Sequence, residues 1–106
     1  MRSEIQKMLL IIVEDVDRWR GQPLHEEIVR TLRRQGVAGA TVWTGIEGYG
    51  VSGHLHHKGL FGVPDEKPVV IAAVDEEKKL RAVLPAILPM IDGGVALLQD
   101  AEVFQP

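Results

Sequence analysis

Four closely spaced glycines in the middle of the chain are the residues best suited to binding chemistry. They are Gly45, Gly48, Gly50 and Gly53, and they lie at and just beyond the end of a strand predicted over 40–46. Glycine has no Cβ to keep a phosphate or another backbone away, and it permits the positive φ at which N–H groups converge. We therefore predict a ligand site that begins at Gly48, Tyr49 and Gly50. The same spacing also occurs in bulges and tight turns, which remains the alternative interpretation.

Three histidines follow directly, at His54, His56 and His57. Neutral imidazoles suit Zn²⁺ or Cu²⁺, and two of these side chains would share a face if the segment is extended. The segment has no cysteine and no nearby carboxylate. Solvated or loop-ordering histidines are therefore the alternative to a metal site.

The carboxylates near the first strand do not form a recognisable catalytic set. Glu14, Asp15 and Asp17 are typical of a solvated turn, and no serine or cysteine is paired with a histidine in a known nucleophilic arrangement. The sequence therefore predicts a binding protein that is not an enzyme.

Composition narrows the class of protein further. The 106 residues predict one domain, residues 1–106, and the net charge of -3 argues against nucleic acid as a partner. There is no cysteine, no signal-peptide pattern and no apolar run long enough to span a membrane. We therefore expect a cytoplasmic protein.

The first half of the chain predicts a strand, a helix and a second strand. The apolar run Met8–Val13 indicates a buried strand. The spacing of apolar residues after Pro23 predicts a helix that ends near Arg34, with Gly36 just beyond it. β-Branched and aromatic residues in 40–46 predict the second strand. A loop over about 49–67 follows, and loops of this length in small domains are often functional.

The second half repeats the order strand, helix, strand. Pro68–Val74 predicts a strand, and the acidic residues after it predict the start of a helix with a kink or restart near Leu84–Pro85. The segments 95–98 and 101–104 supply one or two final strands. The order βαββαβ predicts an α+β, ferredoxin-like fold with two helices on one face of an antiparallel sheet. The other face then needs a cover, for which a second subunit is the natural candidate.

Several motifs in this order resemble the PII nitrogen-regulatory superfamily. They are the segment 36–42, the Gly48-Tyr49-Gly50 exit into a long loop, and the Val74-Asp75-Glu76 entry to the second helix. The segment 19–24, Trp-Arg-Gly-Gln-Pro-Leu, is more similar to an uncharacterised PII-like branch, a domain of unknown function. The resemblance covers nearly the whole chain. It implies a homotrimer with clefts between subunits for an adenine nucleotide, and a T-loop over about 49–67 that reaches a protein partner, for which a membrane transporter is one candidate.

The resemblance also implies which residues line the cleft. They are Gly48, Tyr49, Gly50, Ser52, Asp92, Gly93 and Gly94. The sequence lacks several cations of the PII pattern: no lysine follows Asp92-Gly93-Gly94, the position of the strand-three lysine falls near Pro68 or Val69, and the C-terminal arginine pair has no counterpart. Arg18, Arg20 or Lys58 could replace them.

The predicted function is therefore a non-enzymatic PII-like signalling protein. Its effector would be ADP, ATP, AMP or cyclic AMP, and its output would be regulation of a partner through the T-loop. The alternative is a metal-binding trimer of the same fold, similar to the divalent-cation tolerance proteins, that uses His54, His56 and His57.

Overall fold

The computed structural model describes residues 1–50 and 66–106, which form a four-stranded antiparallel sheet with two helices and a small hairpin. The elements in chain order are β1 (Arg2–Glu14), β2 (Arg18–Trp19), β3 (Gln22–Pro23), α1 (Leu24–Arg34), β4 (Thr41–Thr44), β5 (Pro68–Asp75), α2 (Glu77–Ile87), a 3₁₀ turn (Leu88–Met90) and β6 (Val95–Gln105). The main sheet has the order β4-β5-β1-β6, and neighbouring strands are antiparallel. This is the ferredoxin-like arrangement, and the predicted fold class is confirmed.

One face of the sheet, which we call the covered face, packs against both helices. Alternate residues of β1 and β5 point to this side because side chains in a strand alternate between the two faces. These strand residues are no more than 3% exposed: Leu9, Ile11, Val13, Val69, Ile71 and Ala73. The helices supply apolar residues at i, i+3, i+4 spacing: Leu24, Ile28, Leu32, Leu80, Val83 and Ile87. Together they form the core of the chain.

The opposite face of the sheet, which we call the open face, is also apolar. The strand register places Leu10 opposite Ala72 and Leu97, and it places Ile12 opposite Val70 and Val95. The remaining apolar residues of this face are Met8, Trp43 and Val74. Nothing in the described chain covers these side chains, and Trp43, Val95 and Leu97 are 47%, 43% and 40% exposed.

A buried carboxylate fixes the edge of the covered face. Asp75 is 5% exposed and accepts hydrogen bonds from the backbone N–H groups of Glu76, at 2.8 Å, and Ala38, at 3.0 Å. Burial alone would raise the pKa of this carboxyl, but the two hydrogen bonds and the nearby Lys79 ammonium hold it below its ordinary value of 3.8. The charge of Asp75 thereby pins the segment between α1 and β4 to the start of α2.

Three strands of the sheet differ from their predicted lengths. β1 begins at Arg2 rather than at Met8, and β6 is one continuous strand rather than two pieces. The extra residues of β1 pair only with β6, from Arg2 opposite Gln105 onward. Their polar sequence gave no strand signal because neither side of this extension is buried. β4 is shorter than predicted and covers Thr41–Thr44.

The predicted break in the second helix is displaced toward its end. α2 continues through Pro85 as far as Ile87, and the tightening occurs in the 3₁₀ turn, which contains Pro89. A proline inside a helix removes one hydrogen bond, but Leu80, Val83 and Ile87 are fully buried and hold the helix on the sheet. Within the described ranges, no helix has the length and apolar character needed to cross a membrane.

β2 and β3 form a short hairpin between β1 and α1. Arg20 and Gly21 connect its strands with φ values of 51° and 82°, as a type I′ turn requires. The Arg20 guanidinium carbon lies 5.2 Å from the centre of the Trp19 ring, in a cation–π contact. Trp19 is partly buried and also packs against the core.

Candidate functional site

The two predicted halves of the site lie at the same end of the sheet, which we call the loop end. Thr44 and Val13 are both opposite Val69, so β4 and β1 end where β5 begins. Ile12 is opposite Val95, so β6 begins at this end as well. The register therefore brings the Gly48-Tyr49-Gly50 segment, which follows β4, and the Asp92-Gly93-Gly94 turn, which precedes β6, to one end of the molecule.

The glycines after β4 have different roles. A Cβ on Gly45 would lie 2.6 Å from Pro68 Cγ, and one on Gly48 would lie 3.3 Å from the same atom. Both positions therefore allow the close approach of the two loop ends. Gly50 has a φ of 85°, and a Cβ added to it would meet no atom of the described residues within 4 Å. Tyr49 is 91% exposed.

Lys67 closes the base of the loop and was not among the predicted site residues. Its ammonium donates a hydrogen bond to the Ile46 carbonyl oxygen at 3.2 Å, and its backbone N–H donates to Asp15 Oδ1 at 3.1 Å. The Asp15 N–H in turn donates to the Lys67 carbonyl oxygen at 2.9 Å. The position expected for the strand-three lysine, Pro68 or Val69, is one or two residues farther along the chain. Lys67 thus places a cation beside the glycine segment.

The prediction that Glu14, Asp15 and Asp17 form a solvated turn is wrong for Glu14, whereas Asp15 is exposed in a turn and Asp17 is half-buried. Glu14 is 4% exposed, and its backbone N–H donates to Asp17 Oδ2 at 2.9 Å. Asp17 also accepts, through its backbone carbonyl, the Leu24 N–H at the start of α1. These residues organise the loop end because their acceptors satisfy N–H groups where β1 stops.

The Asp92-Gly93-Gly94 turn is shaped by close backbone packing. Gly93 has a φ of 84°, which favours glycine. A Cβ on Gly94 would lie 2.8 Å from the Ile12 carbonyl oxygen and 2.7 Å from Ile91 Cγ2. The turn therefore lies directly against the end of β1. Asp92 and Gly93 are exposed.

A cavity of about 300 Å³ adjoins this turn on the side of the helices. Its lining residues are Asp17, Arg18, Trp19, Leu24, Pro89, Met90 and Asp92. Of the cations proposed to replace the missing PII residues, Arg18 therefore faces this cavity, whereas Arg20 is engaged with Trp19. Lys58 and Ser52 lie outside the described residues.

The metal hypothesis rests on residues for which the structure gives no description. His54, His56 and His57 all fall within 51–65. In the part of the chain that is described, no group of three or more histidine, cysteine, aspartate or glutamate side chains is arranged to hold a metal ion. The histidine site therefore stays a prediction from sequence.

Comparison with known proteins agrees with this fold. The DUF190 family model, described as "Uncharacterized ACR", matches residues 6–103. The chain belongs to the DUF190 family. A curated relative, UPF0166 protein MJ1524 of Methanocaldococcus jannaschii, is 34% identical over 100 residues, which are 93% of this chain and 92% of the relative.

Solved structures place this DUF190 chain in the PII-like superfamily, so the resemblance noted in the sequence is confirmed. CPII of Thiomonas intermedia K12, bound to ADP, AMP and acetate, has a TM-score of 0.73 and 23% identity over 100% of this chain and 95% of CPII. The same protein bound to ADP and bicarbonate gives 0.71 and 25% over 99% and 94% of the two chains. A putative PII-like signaling protein of Thermus thermophilus, TTHA0516, gives 0.66 and 18%, over 97% and 93%.

Proposed function

We propose that this chain is a non-enzymatic PII-like signalling protein that forms a homotrimer and binds an adenine nucleotide between subunits at the loop end. The observation that carries the proposal is the position of Lys67 and Gly50 at the same end of the sheet as the Asp92-Gly93-Gly94 turn. A lysine ammonium together with open glycine backbone is a common means of holding phosphate groups.

The open face supports the trimer. Its three central levels, from Met8 to Ile12, carry no charged side chain, and contiguous exposed apolar surface of this kind usually marks an interface. The loop end adjoins the open face, because the Ile12 and Val95 pair lies on the open face and at the loop end. A cleft between subunits would therefore border both halves of the proposed site.

The choice of nucleotide is supported by the relative. CPII has been solved with ADP and AMP, and this chain shares its fold. ADP, AMP, ATP and cyclic AMP are therefore the effectors to test. In our proposal, the effector changes the surface that the loop over about 49–67 offers to a protein partner, and a cytoplasmic protein that regulates a membrane transporter is one such arrangement.

Isothermal titration calorimetry against ADP, ATP, AMP and cyclic AMP tests the proposal, with the oligomeric mass measured on the same sample by light scattering. We expect a trimer and micromolar binding of at least one nucleotide. Absence of heat for all four nucleotides would contradict the nucleotide assignment, and a monomer would contradict the assembly.

A matched pair of lysine variants tests the site. Lys67→Gln keeps a hydrogen-bond donor for the Ile46 carbonyl but removes the charge, so nucleotide affinity should fall about tenfold or more, since a hydrogen bond to a charged group contributes about 1.5–3 kcal/mol. Lys78→Gln removes a charge from the exposed side of α2 and should leave the affinity unchanged. Equal affinity in the two variants would place the nucleotide elsewhere.

A further inference from the structure

The paired outer ends of β1 and β6 form a projection that we call the arm, residues 2–6 and 101–105. β5 ends at Asp75, opposite Lys7, so beyond Lys7 the sheet has only these two strands. Lys7 pairs with Glu77 at the start of α2, which marks the level at which the helices end. At about 3.4 Å per residue, the arm reaches roughly 17 Å past the body of the chain.

The arm carries two large apolar side chains that nothing in the described chain covers. Ile5 is 66% exposed and Phe104 is 55% exposed. Ile5 lies opposite Glu102, so Phe104 is its diagonal neighbour on the same side of the arm. An isolated two-stranded hairpin is only marginally stable in water. An ordered arm with exposed apolar residues is therefore expected to rest against another surface.

A groove of matching character lies beside α1. Its cavity of about 230 Å³ is lined by apolar residues, which are Val29, Leu32, Val37, Ala38 and Ala40, together with Gly39 and a single charge, Arg33. Arg33 makes no ion pair with any other described residue, and neither does Glu102 on the arm. The side of the arm that carries Ile5 and Phe104 thus offers an apolar pair with one negative charge, Glu102, and the groove offers apolar walls with one positive charge.

The arm does not reach the groove of its own chain. The Ala38 N–H bonds to Asp75, which places the groove at the level of Lys7 and next to β4. Phe104, opposite Ser3, is four residues farther out, and its strand β6 is three strands from β4. At strand spacings of about 4.8 Å and about 3.4 Å per residue, that separation is on the order of 20 Å. The groove that receives this arm must therefore belong to another molecule.

We propose that the arm of one protomer docks into the α1–β4 groove of the next, with Ile5 and Phe104 on its apolar walls and Glu102 beside Arg33. Arm and groove are different surfaces, so the contact is head-to-tail, and such contacts close into a ring when the rotation permits. The inference does not depend on which effector binds. It identifies a second contact between copies, distinct from the open face.

Paired cysteines test this contact cleanly because the natural chain contains no cysteine. The double variant Ala40→Cys, Phe104→Cys replaces two exposed residues and should form disulfides between protomers under mild oxidation. A disulfide requires Cα atoms within about 7 Å, which the two positions do not meet within one chain. The expected result is a shift from the one-chain band to two- and three-chain bands on a non-reducing gel. The control, Lys78→Cys with Phe104→Cys, should stay as single chains.

Exchange of the two charges provides a second test of the contact. Added to the Ala40→Cys, Phe104→Cys background, Glu102→Arg should slow the linking, and Glu102→Arg combined with Arg33→Glu should restore it. The proposal fails if the first pair does not link in a folded protein, if the Lys78 control links equally well, or if Glu102→Arg leaves the linking rate unchanged.

Discussion

The two faces of the sheet are made by neighbouring residues of the same strands, yet they end in different environments. Ile11 on the covered face is fully buried, whereas Leu97 on the open face is 40% exposed. Both faces are apolar, so the difference does not come from side-chain chemistry. It comes from the number of layers that one chain of this length supplies, since two helices cover one side only. Contiguous exposed apolar surface of this kind usually marks an interface with another molecule.

The strongest test of this comparison is a charge on the open face. Leu97→Glu would place a carboxylate in the proposed interface, and an unpaired buried charge costs far more than the contact it replaces. We expect complete loss of the trimer, with a measured mass of 11.7 kDa by light scattering. Lys78→Glu on the exposed side of α2 is the control and should stay trimeric. A trimeric Leu97→Glu variant would show that the open face is not the interface.

Adjacent alanine substitutions compare the two faces directly. Ile11→Ala leaves a cavity in the core and should lower the free energy of unfolding by about 2–5 kcal/mol at every protein concentration. Ile12→Ala removes the same atoms from the open face, so its cost should grow as the protein concentration is raised and association contributes more to stability. Urea unfolding at two protein concentrations measures both. The comparison breaks if both variants show the same concentration dependence.

A smaller effect is expected where β6 begins. Gly94→Ala would force a Cβ against the Ile12 carbonyl and Ile91, and overpacking of this kind costs about 1–3 kcal/mol. Gly39→Ala is the matched control because a Cβ there meets nothing within 4 Å. That substitution should be neutral or stabilise the fold by up to about 1 kcal/mol. Thermal unfolding should show a lower midpoint temperature for Gly94→Ala than for the natural chain, and an unchanged or higher one for Gly39→Ala.

Low pH should weaken the contribution of Asp75, at the edge of the covered face, to the free energy of unfolding. The pKa of Asp75 is below its ordinary value of 3.8 in the folded chain, so its contribution to stability is present above about that pH and is lost as the pH falls through the folded pKa. Asp75→Asn should therefore be less stable than the natural chain at pH 7 and lose less stability between pH 4 and pH 2. A natural chain and a variant with parallel pH profiles would exclude this role.

The sequence predicted the elements that have a strong periodic pattern. α1 was predicted from its apolar spacing and ends at Arg34. Gly36 follows it with a φ of 85°, as expected of a residue just past a helix. The βαββαβ order followed from such segments. The arm was not predicted, because Ile5 is the single apolar residue in 2–6 and because this segment pairs with β6, a strand far away in the sequence. Strand pairing over that distance leaves no local pattern.

The arrangement of the candidate site was predicted in part. Gly50 and the Asp92-Gly93-Gly94 turn lie together at the loop end, but Gly45 and Gly48 mainly accommodate Pro68. Lys67 was missed because the sequence was compared with the PII pattern position by position. That comparison gives no weight to a lysine that lies next to the expected position. The buried state of Glu14 was also missed, since it depends on how β1 ends and not on the residue type.

The clasp formed by Lys67, Ile46 and Asp15 has a consequence for how this protein could diversify. It joins the two ends of the loop before the chain leaves the sheet, and the Gly45 N–H adds a bond of 2.7 Å to the Pro68 carbonyl. Doubling the length of a closed loop costs only about 0.6 kcal/mol. A change in the number of residues between the clasped ends should therefore have little effect on folding. If this loop contacts a protein partner, as we propose, the choice of partner can evolve independently of the scaffold.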